Sequence, residues 1–382
     1  MSNSTGGRIP SLDGIRAILI LVVLYAHASS TRDFPVSIVG KYGGWFGDVG
    51  RLCVLVFFVI SGFLITSMLM REGETTGTIS LKRFYLRRVL RIFPAFYAFI
   101  LALAIAVWLG AIHLTGRDFA FALTYTVNYV PRPPWLTGHL WSLSVEEQFY
   151  LLWPLTLLVL RERRALILAV AAIFAGPLVR VAIREWIFHV DPHSFGGMTN
   201  SFPAMVDYPA TGCALALLRP WLLTRTWYLR LTASRWLGLV IPLVLLINHL
   251  GNHTTNILLG SPVMNVCIAL LIESSTRHAG SLAGRFLNWK PIAFLGVLSY
   301  SLYMWQQLFL DHQSRAWMNA FPQNLVFAFL AALASWFLIE RPFVRLRGRL
   351  RRGTGLAARA EGVFRRDPAF EESVPVAMRK LE

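Results

Sequence analysis

The sequence predicts an all-α polytopic membrane helix bundle. Three observations carry this. Of the 382 residues, 55% are hydrophobic and only 15% are charged, a balance unlike that of a soluble domain. The apolar residues are gathered into runs that approach or exceed the length needed to cross the hydrocarbon core, about 20 residues of helix. The basic residues are distributed unevenly between these runs. Ten spans are predicted, at roughly 12–30, 46–70, 93–112, 140–160, 165–185, 203–219, 236–250, 256–273, 292–312 and 321–340. The stretch 118–130 is shorter and carries Asn128. It reads as a re-entrant or interfacial helix, which is tolerated where protein covers its polar backbone.

The charge pattern orients the bundle. With both termini cytoplasmic, 29 of the 37 Lys and Arg residues fall on the cytoplasmic side, as the positive-inside rule requires. An eleventh span at 118–130 would put strongly basic segments on opposite sides. The net charge of +17 would suggest nucleic acid in a soluble protein. Here it belongs to membrane-surface segments that meet lipid, and no nucleic-acid partner is expected.

The first span carries an arginine and a histidine, Arg16 and His27, in SLDGIRAILILVVLYAHASS. Ionisable groups are costly inside a bilayer and mark function there. Eleven residues make about three helical turns, so both side chains share a face, about 16 Å apart along the axis. With Arg16 at one surface, His27 reaches about the midplane. A histidine hydrogen-bonded across helices is the bland alternative.

After the second span comes TISLKRFYLRRVLRIFPAFY. Arg83, Arg87 and Arg91 recur every four residues and Arg88 lies three before Arg91, so they share a helical face. Two readings stand. One is a surface helix held by anionic lipid. The other is a binding site for a phosphorylated cytosolic donor, since guanidinium groups make strong, often bidentate phosphate contacts.

The fourth span opens with GHLWSLSVEEQFYLLWP. Glu146 and Glu147 are expected near its outer end with His139, Trp141, Ser142 and Ser144. They read either as an interfacial cap, where acids suit a helix N-terminus, or as a polar cluster facing an acceptor. Neighbours on a helix point about 100° apart, so one glutamate at most faces a given site squarely.

The remaining polar residues carry weaker signals. His189, Asp191 and His193 could bind a metal, but their Pro/Gly loop reads as a solvated outer loop, and no metal site is assigned. His249 and His253 read the same way. Asp207 is either functional or a cap. Gln306 and Gln307 lie inside a span, where buried amides bond a neighbouring helix. Glu340 and Arg341 read as an interfacial ion pair. Cys53, Cys213 and Cys267 lie in apolar segments without disulfide or ligand spacing. The first apolar run is expected to be retained, because Arg16, His27 and the lack of a clean cleavage site do not suit a signal peptide. No nucleophile elbow, phosphate loop, dinucleotide fingerprint or zinc spacing is present. Residues 1–342 are read as one membrane domain and 343–382 as a basic, partly disordered cytoplasmic tail.

Six segments in order resemble a known family: LDGIR with the histidine eleven residues after the arginine, FFVISGFLIT, RRVLRIFPAFY, HLWSLSVEEQFYLLWP, SYSLYMWQQ and ERPF. The chain is similar to membrane acyltransferases of the acyltransferase-3 family over roughly 9–345. Members move acetyl or other short acyl groups from cytosolic acyl-CoA to sugars of lipopolysaccharide, exopolysaccharide, Nod factors, peptidoglycan or antibiotics.

The resemblance implies a multi-pass protein of the bacterial inner membrane. Arg16 and His27 match the family's arginine–histidine pair. Arg88 and Arg91, with Arg87 beside them, match its cytoplasmic arginines linked to acyl-CoA, and Glu146 and Glu147 match its acidic pair. Acyl-CoA is expected as a co-substrate, with no tightly bound cofactor, and a carbohydrate or glycolipid as acceptor. Two departures stand out. Gln306 occupies a position where many members carry histidine. Longer members append a periplasmic esterase-like domain, and the expectation is a short form without one. In the implied mechanism Arg88 and Arg91 hold the CoA phosphates, and the thioester reaches His27. His27 acts as general base or as a nucleophile forming an acyl-imidazole. The rival class is a transporter or flippase of lipid-linked sugars, against which the basic cytosolic helix and the absence of repeat symmetry argue. A non-catalytic sensor is a third reading.

Overall fold

A computed structural model describes residues 9–35, 43–190, 198–251 and 253–352, with the side chains of 43–47, 187–190 and 347–352 left aside. Asp191, His193, the His189 side chain and the tail beyond Arg352 therefore lie outside the described residues. The described residues form helices and loops with no strand. The all-α expectation holds, and each predicted span coincides with helix.

Among the described residues, five helices are long and apolar enough to cross a membrane: Asp48–Thr76, Leu81–Trp108, Trp135–Trp186, Asn256–Arg277 and Gln323–Leu346. A sixth follows if Thr226–Ala233 and Arg235–His249, bent by 64°, count together. The ten predicted spans therefore exceed what length and composition of the described helices establish. Many large apolar side chains point outward, among them Leu151, Leu155, Val159, Ile167 and Phe174. Such a surface suits lipid rather than water.

The first helix, α1 (Leu12–Ala28), is central. Its start is pinned by a reciprocal bond: Ser11 N donates to Asn288 Oδ1 at 2.8 Å, and Asn288 Nδ2 donates to Ser11 Oγ at 3.0 Å. It lies between α2 (Gly43–Thr76) and a later helix, Lys290–Phe309. A Cβ at Gly296 would overlap the Asp13 carbonyl, so the backbones touch there. In the same way Gly62 of α2 meets Pro209, and Gly212 meets Val59. Small residues at such crossings are how helices pack without a hydrophobic drive between them.

The third helix, α3 (Leu81–Trp108), differs from expectation in a way that matters for function. The amphipathic arginine segment is no separate surface helix. It forms the first turns of the span itself, capped by Ser80 and continuous through Pro94. Arg88 and Arg91 are thereby carried toward the bundle interior.

The segment 118–130 is a short helix, α4 (Gly116–Leu123), followed by a turn at Val127–Tyr129, and does not span. Asn128 is fully buried and exchanges amide bonds with Gln148 at 3.3 and 3.1 Å. Protein covers it, as the re-entrant reading requires. The helix α5 (Leu140–Val190) breaks at Arg161, whose φ of 58° and ψ of 173° separate the two predicted spans.

Next come α6 (Asp207–Leu222), α7 (Thr226–Ala233), α8 (Val240–His249), α9 (Ser261–Arg277) and α10 (Leu282–Leu287). The last elements are α11 (Lys290–Phe309), α12 (Gln323–Ala334), a π-turn at Ser335–Glu340 and α13 (Arg341–Arg352). The first ten residues of the predicted tail are thus helical. All three cysteines are buried and unpaired.

Candidate active site

Two polar centres lie within the bundle, joined by α1. The first gathers around Arg16. Its charge is felt by, and feels, Arg91, Asp13 and Glu146. Arg88 stands 4.9 Å over the Tyr150 ring and 5.5 Å over Phe84, in the field of Arg91, Glu146 and Glu147. Ser61 Oγ donates to Glu146 Oε1 at 2.7 Å, and Tyr150 OH donates to Ser61 Oγ at 3.4 Å. Three arginines and two glutamates from α1, α3 and α5 therefore share one electrostatic neighbourhood. None of Arg16, Arg88 or Arg91 forms an ion pair within 4.0 Å among the described residues. Unpaired guanidinium groups inside a helix bundle are expensive unless an anion meets them.

Two expectations change here. Arg87 does not join this centre. Its Nη2 donates to Glu72 Oε2 at 2.7 Å, and Arg83 approaches the same carboxylate at 3.6 Å. Glu72 lies past the predicted end of the second span, because α2 runs on to Thr76. It draws Arg83 and Arg87 to one side of α3, while Arg88 turns to the other. The acidic pair also sits deeper than expected. Glu146 is about 9 Å into α5 from Leu140 and lies in the field of Arg16 and Arg88.

The second centre surrounds His27. Its Nδ1 lies 3.3 Å from Gln306 Oε1 of α11. With Nδ1–H donating to that oxygen, Nε2 carries the free lone pair. Trp135 meets the His27 ring edge-on at 5.4 Å and donates from Nε1 to the Gln307 carbonyl at 3.1 Å. His312 also meets Trp135 edge-on, at 4.6 Å, within electrostatic reach of His27.

His139 is buried beside Tyr303 and Phe99, within electrostatic reach of His27. Neither of its ring nitrogens makes a well-formed hydrogen bond, although the Met304 backbone lies in range. Tyr303 OH donates to the His139 carbonyl at 3.0 Å and meets Ser142 Oγ at 2.7 Å.

Around the two centres lie further buried polar atoms without hydrogen-bond partners among the described residues: Arg16 Nε, Glu147 Oε1, Tyr125 OH, Trp305 Nε1 and Gln306 Nε2. Buried polar groups are normally satisfied, so this polar lining suits a hydrogen-bonding ligand.

Asp207 is fully buried in a two-pronged pair with Arg180, at 2.7 and 3.0 Å, and accepts from Asn265 Nδ2 at 3.0 Å. It ties three helices together and is no simple cap. Glu340 does not pair with Arg341. The π-turn rotates it inward to accept from Ser301 and, at 3.1 Å, from Ser335, in the field of Arg91. Arg341 instead lies over Phe337. In the sequence Gln306 read as a helix contact and as a departure from the family's histidine, Tyr303 only as part of the SYSLYMWQQ motif, and Trp135 carried no signal. Their roles depend on which helix α11 faces.

The fold and these centres define an integral, multi-pass membrane protein with arginine and histidine centres inside its helix bundle. The chain belongs to the acyltransferase-3 family: residues 9–341 match the family described as an acyltransferase domain. A Bacillus subtilis (strain 168) protein provisionally named a peptidoglycan O-acetyltransferase, YrhL, is 29% identical over 331 residues, 78% of this chain and 48% of that protein. A provisionally named O-acetyltransferase of Staphylococcus aureus (strain COL) is 28% identical over 370 residues, 88% of this chain and 57% of the other. The peptidoglycan O-acetyltransferase OatA of Listeria monocytogenes is 26% identical over 324 residues, 78% of this chain and 48% of OatA. The chain thus spans about half the length of the curated relatives it matches. No solved structure matches.

Proposed function

We propose that this protein transfers an acyl group, acetyl above all, from cytosolic acyl-CoA to a hydroxyl of a cell-surface or exported carbohydrate or glycolipid. The relatives' names bring peptidoglycan forward as the acceptor. The setting is the bacterial inner membrane, with both termini cytoplasmic. The observation that carries the reading is the stacking of an unpaired arginine centre and a histidine centre along one helix.

Arg88 and Arg91 receive the CoA phosphates, with Arg16 at the same level. The pantetheine arm has about a dozen backbone bonds, which at peptide-like dimensions span about 14 Å extended. That is close to the rise of about 16 Å from Arg16 to His27. The arm's amides meet the unpartnered polar atoms along the way.

At the upper centre His27 Nε2 takes the proton of the acceptor hydroxyl as that oxygen attacks the thioester carbonyl. The C–S bond breaks, and the thiolate leaves toward the cytosol and takes up a proton. Gln306 holds the ring in the tautomer that frees Nε2. Glu146 and Glu147 balance the arginine charge when the donor has left.

Acyl transfer by purified protein in lipid nanodiscs tests the reading. Wild type is expected to release CoA thiol from acetyl-CoA, and His27→Gln to lose about 10²–10⁴-fold in rate while still binding acetyl-CoA. Near-normal transfer by His27→Gln would refute the mechanism. A protein that consumes no thioester yet moves lipid-linked sugar would be a flippase.

A further inference from the structure

A third polar cluster lies outside both centres, around Arg51. Helix α2 passes α1 where a Cβ on Gly50 would stand 2.7 Å from the Ala26 Cβ. The two helices run antiparallel. The residue after each contact therefore turns to the same side of the pair, so Arg51 and His27 leave the crossing on one side, about 3 Å apart along the axis.

The Arg51 guanidinium lies 5.2 Å over the Trp141 ring, two residues along α5 from His139. Its Nη2 donates to Asn200 Oδ1 at 2.8 Å. Arg51 is solvent-exposed, so its remaining donors can be reached. Among the described residues it makes no ion pair within 4.0 Å. The buried carboxylate of the cluster, Asp207, is spent on Arg180 and Asn265. Arg180 and Asp48 are the formal charges acting on Arg51. One turn beyond Arg180, Arg184 Nη1 is buried without a hydrogen-bond partner among the described residues. Arg51, Arg180 and Arg184 outnumber Asp48 and Asp207, so the cluster has an excess of positive charge.

We propose that Arg51, seated on Trp141 beside the Arg180–Asp207 pair, binds an oxyanion of the acceptor. The inference rests on the acyltransferase reading and deepens it: the acceptor glycan is anionic, bearing a carboxylate or a phosphate close to the hydroxyl that is acylated. A planar guanidinium with a free fork suits either group. The aromatic face beneath it holds the fork in place through a cation–π contact. An anion held here positions the neighbouring sugar hydroxyl at the depth of His27.

The test is equilibrium binding to the full protein in nanodiscs of neutral phosphatidylcholine, which does not require turnover. The probes are N-acetylmuramic acid, its neutral methyl ester, and inorganic diphosphate. Wild type is expected to bind at least one anionic probe, and the acid more tightly than its ester if the carboxylate is the source. Arg51→Gln should weaken anion binding about tenfold or more, with Arg51→Lys intermediate because it keeps charge without the fork. A preference for diphosphate that Arg51→Gln removes would assign the phosphate source.

Equal anion affinities in wild type and Arg51→Gln would overturn the proposal, and so would failure of wild type to bind either anion. An effect seen only in phosphatidylglycerol nanodiscs would make Arg51 a lipid anchor and also overturn it. Anion binding without acetyl-CoA consumption would leave the subsite standing and remove the acyltransferase reading instead.

Discussion

Replacing Gln306 by Leu removes the hydrogen bond that orients the His27 ring while keeping a buried side chain of similar size. The Nδ1···Oε1 distance of 3.3 Å is slightly beyond the usual N–H···O range. Its net worth is therefore about 1 kcal/mol or a little less. That amount favours the reactive tautomer about fivefold. Without the amide, the Nδ1–H donor is left unsatisfied at a cost of about 1–3 kcal/mol, unless the ring turns or changes tautomer. Either escape withdraws Nε2 from the acceptor.

The expected result is a fall in kcat of about 5–30-fold. The KM for acetyl-CoA should stay within about twofold, because the arginine centre is about 16 Å away along α1. Gln306→His keeps a ring-nitrogen acceptor and should retain more activity than the Leu variant. The assay is CoA thiol release with acceptor present, on protein whose melting temperature matches wild type. A Leu variant with wild-type kcat would show that the amide does not set the histidine's state.

Other outcomes follow from the same geometry. Replacing Arg88 and Arg91 together by Lys should raise the acetyl-CoA KM about tenfold, since the bidentate fork is lost. Arg87→Lys should leave that KM nearly unchanged, because Arg87 is engaged by Glu72. Equal effects from both changes would count against separating the arginines. Asp207→Asn leaves Arg180 buried beside a neutral partner and should cost about 3–5 kcal/mol of stability, read as a lower melting temperature in detergent. A melting temperature equal to wild type would contradict a structural role. Gly62→Ala places a methyl group against the Pro209 carbonyl. It should destabilise the α2–α6 crossing by about 3 kcal/mol and reduce the yield of monodisperse protein, and normal yield and melting would show that the helices can separate there.

Much of the architecture was legible in local patterns. Apolar runs mark helices whatever their neighbours, so all ten predicted spans coincide with helix. The eleven-residue spacing of Arg16 and His27 places both on one face by helical geometry alone. The short, Asn-bearing segment 118–130 was recognisable because it is too short to cross. The helices that bend or contain π-turns, such as Arg235–His249 and Ser335–Glu340, blur the count of crossings, because run length does not report a kink.

What the sequence by itself determined is the class of protein and the presence of an arginine and a histidine on one face of the first span. The tertiary structure alone decided which side chains meet. Arg87 and Arg88 are adjacent in the chain, yet one pairs with Glu72 and the other faces Tyr150. The partners of His27 and Asp207 lie 279 residues away at Gln306 and 58 away at Asn265. The physical reason is rotational. One residue turns a helix by about 100°, and its final orientation is set by glycine contacts and polar pairs with helices distant in sequence. No local pattern carries that angle.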